Sequence, residues 1–191
     1  LWAEGRPAHL VLAGQALSPM LAYYRRLPAQ ETARLHLLGF VSEEEKKDLL
    51  AAGDLFCMPS CTDSFGIVYL EAWANGVPVI GARAGGVPAV IADGVDGLLV
   101  EFGDVAGLSR TIARVLDDPA WGRSLGARGR EKVVREMTWD HVCQRIYRVY
   151  DALVRRRDGE AGRQNHSLVS GRRMSPALLG RDEHGQIVAQ E

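Results

Sequence analysis

Met58-Pro59-Ser60-Cys61-Thr62-Asp63-Ser64-Phe65-Gly66-Ile67-Val68-Tyr69-Leu70-Glu71 is the stretch on which the fold of this chain turns. A short apolar run from Asp54 ends at Met58, a loop carries an acid, and a segment of helical period opens beside a glycine. Strand, loop and helix in that order place the loop at the carboxyl end of a strand, where open α/β sheets bind their ligands. The amides of Phe65, Gly66, Ile67 and Val68 are expected in the first helical turn, without intrahelical acceptors and at the positive end of the helix dipole. A diphosphate suits such a turn. Gly66 omits the side chain that would hold a phosphate off the backbone, and Ser60 and Ser64 offer hydroxyl donors. Asp63 and Glu71 have seven residues between them, which sets one carboxylate just before the helix and the other about two turns along it. Carboxylates accept hydrogen bonds from vicinal hydroxyls, so Asp63 is assigned to a sugar hydroxyl and Glu71 to the ribose of a nucleotide. Taken singly, Asp63 reads as a helix cap and Glu71 as a solvated helix residue. Glu71, however, leads into the apolar passage Ala72-Trp73-Ala74-Asn75-Gly76-Val77-Pro78-Val79-Ile80, where a charge is costly without a partner.

On either side of this stretch, short apolar runs closed by turn residues alternate with segments of helical period, the pattern of βαβ units and a parallel sheet. His9 to Ala13 forms a strand ending at Gly14, about Leu17 to Gln30 a helix, and Arg34 to Leu38 a strand ending at Gly39. Ser42-Glu43-Glu44-Glu45 has the form of a capping box opening a helix that runs to Ala52. After the central strand and a helix from Ser64 to Asn75, Gly76 marks a left-handed helix end. Val77 to Gly81 is the next strand, Val87 to Ala92 a short helix and Leu98 to Val100 the last strand. Helices over about 104–116, 119–135 and 138–157 follow. The predicted fold is α/β: a Rossmann-like, doubly wound parallel sheet with trailing C-terminal helices. Residues 1–157 form one domain, and 158–191, polar and without period, read as a disordered tail.

Composition excludes more than it identifies. A chain of 191 residues with 47% hydrophobic and 25% charged residues is an ordinary globular one, long enough for a single domain with a real core. A net charge of -1 gives no basic face for nucleic acid. Three cysteines, Cys57, Cys61 and Cys143, cannot all pair within one chain, which favours free thiols and a cytoplasmic setting. Cys57 and Cys61 lie four apart, but no second Cys or His pair stands at zinc-site spacing, so no metal is expected. No apolar run reaches the ~20 residues that span a bilayer. Leu1 to Pro7 read as the end of a helix entering a turn, so the domain is expected to be truncated at its front.

The segment from Asp54 to Val100 resembles the donor-binding domain of retaining glycosyltransferases of family 4, enzymes of the two-domain GT-B architecture. Asp54, Pro59, Ser60, Asp63, Phe65, Gly66, Glu71, Ala72, Gly76, Pro78, Val79, Gly85, Gly86, Asp93 and Gly97 fall in step with its pattern, and the likeness extends from about Ala8 to Tyr150. The resemblance implies that this chain is the C-terminal half of such a fold, binding a UDP-, GDP- or ADP-sugar as a hexose donor, without a metal cofactor. It implies that Glu71 holds the ribose, that Asp63 stands where the family has the first Glu of a Glu-x7-Glu pair, and that Phe65 to Val68 contact sugar and diphosphate. Phe40 and Val41 are implied near the base, and Gly14 matches a glycine turn facing the cleft, although a simple turn explains it as well. The acceptor, a sugar, a lipid-linked group or another molecule, is implied to be held by a preceding domain.

Three departures stand out. Asp63 is one methylene shorter than the family's Glu, Ala89 replaces a Glu after the Gly-Gly pair, and the basic residues with which the family meets the diphosphate align before residue 1. A non-catalytic nucleotide-sugar-binding module and a sugar-nucleotide epimerase of the GT-B group are the alternatives. Arg155-Arg156-Arg157 reads first as a solvated helix end and second as a peripheral contact with an acidic membrane surface. His9, His36 and His141 read as core or surface histidines, and Trp121 and Trp139 as packing residues.

Overall fold

The computed structural model describes residues 1–164, 179–181 and 187–189. Its contacts divide into a unit of residues 1–142 and a second of 143–191.

The first unit holds two parallel sheets. In one, β1 (Leu10–Ala13) pairs with β2 (Leu35–Gly39), Leu10 opposite Leu35 and Leu12 opposite Leu37. In the other, β3 (Phe56–Met58), β4 (Val79–Ala82) and β5 (Leu98–Val100) lie in that order, Phe56 opposite Val79 and Ile80 opposite Leu98. All five strands are parallel and separated in sequence by helices, the Rossmann-like α/β class that the alternation predicts. They are divided between two sheets, where the sequence suggests one continuous sheet.

The helical expectations hold with three corrections. The single helix expected over Leu17 to Gln30 is two, α1 (Ser18–Tyr24) and α2 (Ala29–Thr32), because Pro28 at φ −58° and ψ 149° leaves the helical region between them. Next, α3 (Glu43–Ala52) carries the capping box: Ser42 Oγ accepts from Glu45 N at 3.2 Å and Glu45 Oε2 from Ser42 N at 2.7 Å. The helix after the central loop, α4 (Ile67–Ala74), starts at Ile67 and not at Ser64, since Gly66 adopts the left-handed conformation at φ 76° and stands as its N-cap. Short α5 (Val87–Val90) follows β4, and α6 (Val105–Asp117) and α7 (Pro119–Glu136) start on the capping aspartates Asp104 and Asp118. Finally, α8 (Trp139–Gln164) continues beyond Arg157, where the sequence suggests an end.

The core lies around the three-stranded sheet. Tyr69, Ala72 and Trp73 of α4, Val79 of β4 and Val87, Val90 and Ile91 form one buried cluster, and Ile80, Leu98, Val100, Val115 and Leu125 another. α7 lies against α4 so closely that a Cβ on Gly129 would overlap the Trp73 ring and one on Gly126 the Gly76 carbonyl. Beneath them Asp96 is buried but fully used. Its Oδ1 accepts from Ala92 N at 2.8 Å, its Oδ2 from Lys132 Nζ at 2.8 Å, and its carbonyl from Trp73 Nε1 at 2.9 Å. The pairing of Asp96 with Lys132, 36 residues apart, has no local signal in the sequence.

Two ion pairs tie the β1–β2 part to the β3–β5 part. Before β1, Arg6 forms a two-pronged pair with Asp117 of α6 at 2.5 and 3.0 Å. In α3, Lys46 Nζ meets Glu71 Oε1 of α4 at 3.0 Å.

In the second unit, the described part of α8 exposes Ile146, Tyr147, Tyr150, Leu153 and Val154, an apolar stripe at helical spacing. Arg155 and Arg156 are exposed, and the Arg157 side chain lies outside the described residues. Most of the expected tail also lies outside them; within it, β6 (Leu179–Arg181) and β7 (Ile187–Ala189) pair antiparallel. No described helix is long and apolar enough to cross a membrane.

Candidate functional site

The loop between β3 and α4 is held from below by the loop between β4 and α5. Gly86 N donates to the Asp63 carbonyl at 2.8 Å. A Cβ on Gly85 would stand 2.5 Å from the Asp63 carbonyl oxygen, and one on Gly86 would overlap the Ser64 carbonyl. The glycine pair is therefore a seat for Asp63 and Ser64. Gly85 adopts φ 55°, whereas Gly86 at φ −84° is in a conformation open to any residue, so close approach alone requires glycine there.

Gly66 is required twice, by its left-handed backbone and because a Cβ would overlap the buried Tyr69 ring. That hypothetical Cβ also lies 3.7 Å from Asp63 Oδ1, which places the Asp63 carboxylate beside the entrance to α4. The Tyr69 hydroxyl donates to the Met58 carbonyl at 2.5 Å and locks the end of β3 to α4. Burial, helped by the charge of Asp63 and then by Cys57, pushes the Tyr69 hydroxyl up to about 12, so it remains a donor. Burial alone pushes the Cys57 thiol up to about 11, and Cys57, Cys61 and Cys143 are all free.

The later start of α4 corrects the expected anion turn. Ile67 and Val68 occupy its first positions, while Phe65 precedes the helix and Gly66 caps it. Ser64, Phe65 and Ile67 are exposed and Asp63 is half-buried, so the loop and the first turn present an open face. Ser60 instead accepts from Thr62 N at 3.4 Å within the loop.

Glu71 sits further along α4 with its side chain 32% exposed, and it has the partner that its apolar surroundings demand. Lys46 Nζ bonds Glu71 Oε1 at 3.0 Å and Glu43 Oε2 at 2.8 Å. Glu43, then Glu71, hold the Lys46 ammonium above the ordinary lysine range. Nothing in the sequence pairs residues 46 and 71. The acidic first turn of α3 draws attention to its cap and away from the lysine inside it.

Gly14, Phe40 and Val41 lie at the carboxyl ends of β1 and β2. Gly14 N donates to the Gly39 carbonyl at 2.7 Å, and Phe40 is 82% exposed. Val41 leads into Ser42 and α3, so the chain passes from these residues to Lys46 and through it to Glu71. The structure thus groups Asp63, Ser64 and Gly66 on the glycine seat and Glu71 with Lys46, while Gly14, Phe40 and Val41 stand on the neighbouring sheet. Asp93, in step with the family pattern, is structural: it accepts from Leu99 N at 2.9 Å and pairs with Arg83 at 2.7 Å. A cleft of about 530 Å³ lies among Arg6, Arg110, Arg114, Asp117 and Trp121, apart from every residue named for the site.

The sequence pattern of the family described as "Glycosyl transferases group 1" matches residues 1–118. The chain belongs to this family. It is 38% identical over 129 residues to a GDP-mannose-dependent monoacylated alpha-(1-6)-phosphatidylinositol monomannoside mannosyltransferase of Corynebacterium glutamicum, covering 64% of this chain and 34% of that protein. It is 37% identical over 122 residues to the N-acetyl-alpha-D-glucosaminyl L-malate synthase of Bacillus anthracis, covering 64% of this chain and 32% of the other. Among solved structures, Anabaena HepE in complex with UDP superposes with a TM-score of 0.68 at 26% identity, covering 79% of this chain and 43% of that one. This group 1 chain spans about a third of the length of the curated relatives it matches. Its fold is the Rossmann-like, C-terminal half of the GT-B architecture.

Proposed function

We propose that this chain is the donor-binding part of a retaining glycosyltransferase that moves a hexose from a nucleoside-diphosphate sugar to an acceptor. The observation that carries it is the glycine seat, which delivers Asp63 and the left-handed Gly66 to the start of α4 beside an open face. In this reading the first-turn amides of Ile67 and Val68 meet the diphosphate, and Gly66 lets it approach the backbone. Asp63 accepts from a hydroxyl of the donor sugar and orients its anomeric carbon. Glu71 accepts from the ribose, and Phe40 and Val41 flank the base near Gly14. Stabilisation of the leaving diphosphate comes from the helix end and cationic side chains, with no resident metal. The acceptor, a sugar, a lipid-linked group or another molecule, is held by a domain outside this chain, at the cytoplasmic side and in peripheral contact with the membrane.

The names of the relatives support the class of donor without fixing its base, since one names GDP-mannose and the HepE structure holds UDP. The test is a calorimetric and thermal-shift screen of the chain against UDP, GDP, ADP and their hexose conjugates, because a ligand of the folded state raises its stability. One nucleotide should bind saturably, and Glu71→Ala should weaken that binding by at least about tenfold. Unchanged affinity in Glu71→Ala would overturn the ribose assignment.

A further inference from the structure

Glu71 cannot hold a ribose by composition alone; its carboxylate must be fixed in one orientation with an oxygen to spare. Its helix presents Tyr69, Ala72 and Trp73 to the core, which leaves Glu71 at the core's margin with its side chain 32% exposed. A side chain in that position, with rotatable bonds and no partner, samples several rotamers, and ordering it would weaken ligand binding. Lys46 removes that freedom. Its ammonium reaches from α3, a different element 25 residues away, and bonds Glu71 Oε1 at 3.0 Å.

Lys46 is itself held. Glu43, one turn earlier, takes a second of its three N–H donors at 2.8 Å, and the lysine side chain is 29% exposed. Ser42 and Glu45 close the capping box around the same turn, so the platform for the lysine is the fixed end of α3. A carboxylate has two oxygens, and the contact engages Oε1. Oε2 is left to accept from a sugar hydroxyl.

We infer that Lys46 is a positioning residue for the donor site: it orients the Glu71 carboxylate so that Oε2 faces the ribose diol of a nucleoside diphosphate. This rests on the assignment of Glu71 to the ribose. It adds a role for α3, whose entrance follows directly from Phe40 and Val41, and couples the residues placed at the base to the one placed at the ribose. A plain surface ion pair would contribute little to stability and nothing to nucleotide discrimination.

The test is titration calorimetry of the full chain, as wild type, Lys46→Met, Lys46→Arg, Glu71→Ala and the Lys46→Met/Glu71→Ala double variant, with UDP, GDP and ADP. The 2′,3′-dideoxy form of the nucleotide that binds is the second probe, and melting temperatures confirm folding. Lys46→Met should weaken the ribonucleotide about tenfold, the scale of one charge-assisted hydrogen bond to a ligand. Lys46→Arg should restore most of it, since a guanidinium can bond the same oxygen. The loss should vanish with the dideoxy nucleotide and in the Glu71→Ala background. Wild-type affinity in Lys46→Met, or an equal loss for ribo and dideoxy forms, overturns the inference while leaving Glu71 in place. Unchanged affinity in Glu71→Ala, or no binding of any of the three nucleotides by the wild type, overturns the ribose assignment beneath it.

Discussion

The β1–β2 pair and the β3–β4–β5 sheet are written in the same apolar alphabet and buried to very different depths. Leu10 and Val11 of β1 are 46% and 45% exposed, while Val79, Ile80 and Ala82 of β4 are wholly buried. Parallel strands read as continuous apolar runs because both of their faces are to be covered. β4 has that cover, with the cluster of α4 and α5 packed around Val79 and that of α6 and α7 around Ile80. Beside β1, Pro28 divides the connection into helices of seven and four residues, neither with a buried side chain. An apolar run therefore tells that a strand is built for burial, and the connecting helices determine how much of it this chain achieves. The candidate site follows the same division. Asp63, Gly66 and Glu71 stand on packed ground, and Gly14, Phe40 and Val41 on the thinly covered pair.

The largest effects should come from the packed side. Trp73 fills the contact between α4 and α7 and donates to the Asp96 carbonyl, so Trp73→Ala should cost about 3–5 kcal/mol, measured by chemical denaturation. Leu10→Ala on the open pair should cost under about 1 kcal/mol, because a half-exposed side chain loses little transfer energy. Equal losses would break the comparison. Gly86→Ala should fall between them, at about 1–3 kcal/mol, since its methyl group must displace the Ser64 carbonyl. It should also abolish nucleotide binding, because the displaced loop carries Asp63. A Gly86→Ala variant that binds nucleotide normally would remove the glycine seat from the site.

What the sequence made legible was local. The order of strands and helices, the Ser42–Glu45 box and the left-handed end at Gly76 each rest on signals a few residues long, and each is present. α4 starts three residues after the Ser64 that the period suggests, because a glycine beside a helical period is compatible with the first turn and with the cap, and only its φ of 76° decides. Contacts between distant segments were out of reach. Lys132 meets Asp96 across 36 residues and Lys46 meets Glu71 across 25, and neither spacing has a local signature. Asp63 and Glu71 stand out as candidates because their chemistry is written beside a strand end. The lysine that bonds Glu71 does not, because α3 brings it there only through tertiary packing.

The smallest effect sharpens the comparison at its seam, where α3 joins the open pair to the packed sheet. Ser42→Ala removes one half of the capping box and should lower the melting temperature by about 2 °C near neutral pH. Hydrogen bonds from the Ser42 backbone and side chain hold the Glu45 carboxyl below its ordinary value. A depressed carboxyl stabilises the fold above its unfolded pKa, and this stabilisation is lost as pH falls through the folded one. The gap between wild type and Ser42→Ala should therefore be constant above about pH 5 and narrow below pH 4.5, the ordinary value from which Glu45 is lowered. A gap that widens on acidification would mean that the Ser42 side chain favours the acid form of Glu45 over the carboxylate, contrary to the direction in which it holds that carboxyl. Melting curves of the two chains from pH 3 to pH 7 separate these outcomes. If Lys46 depends on the same turn to reach Glu71, Ser42→Ala should also weaken the nucleotide, by less than Lys46→Met does, because it loosens the platform and leaves the ammonium in place.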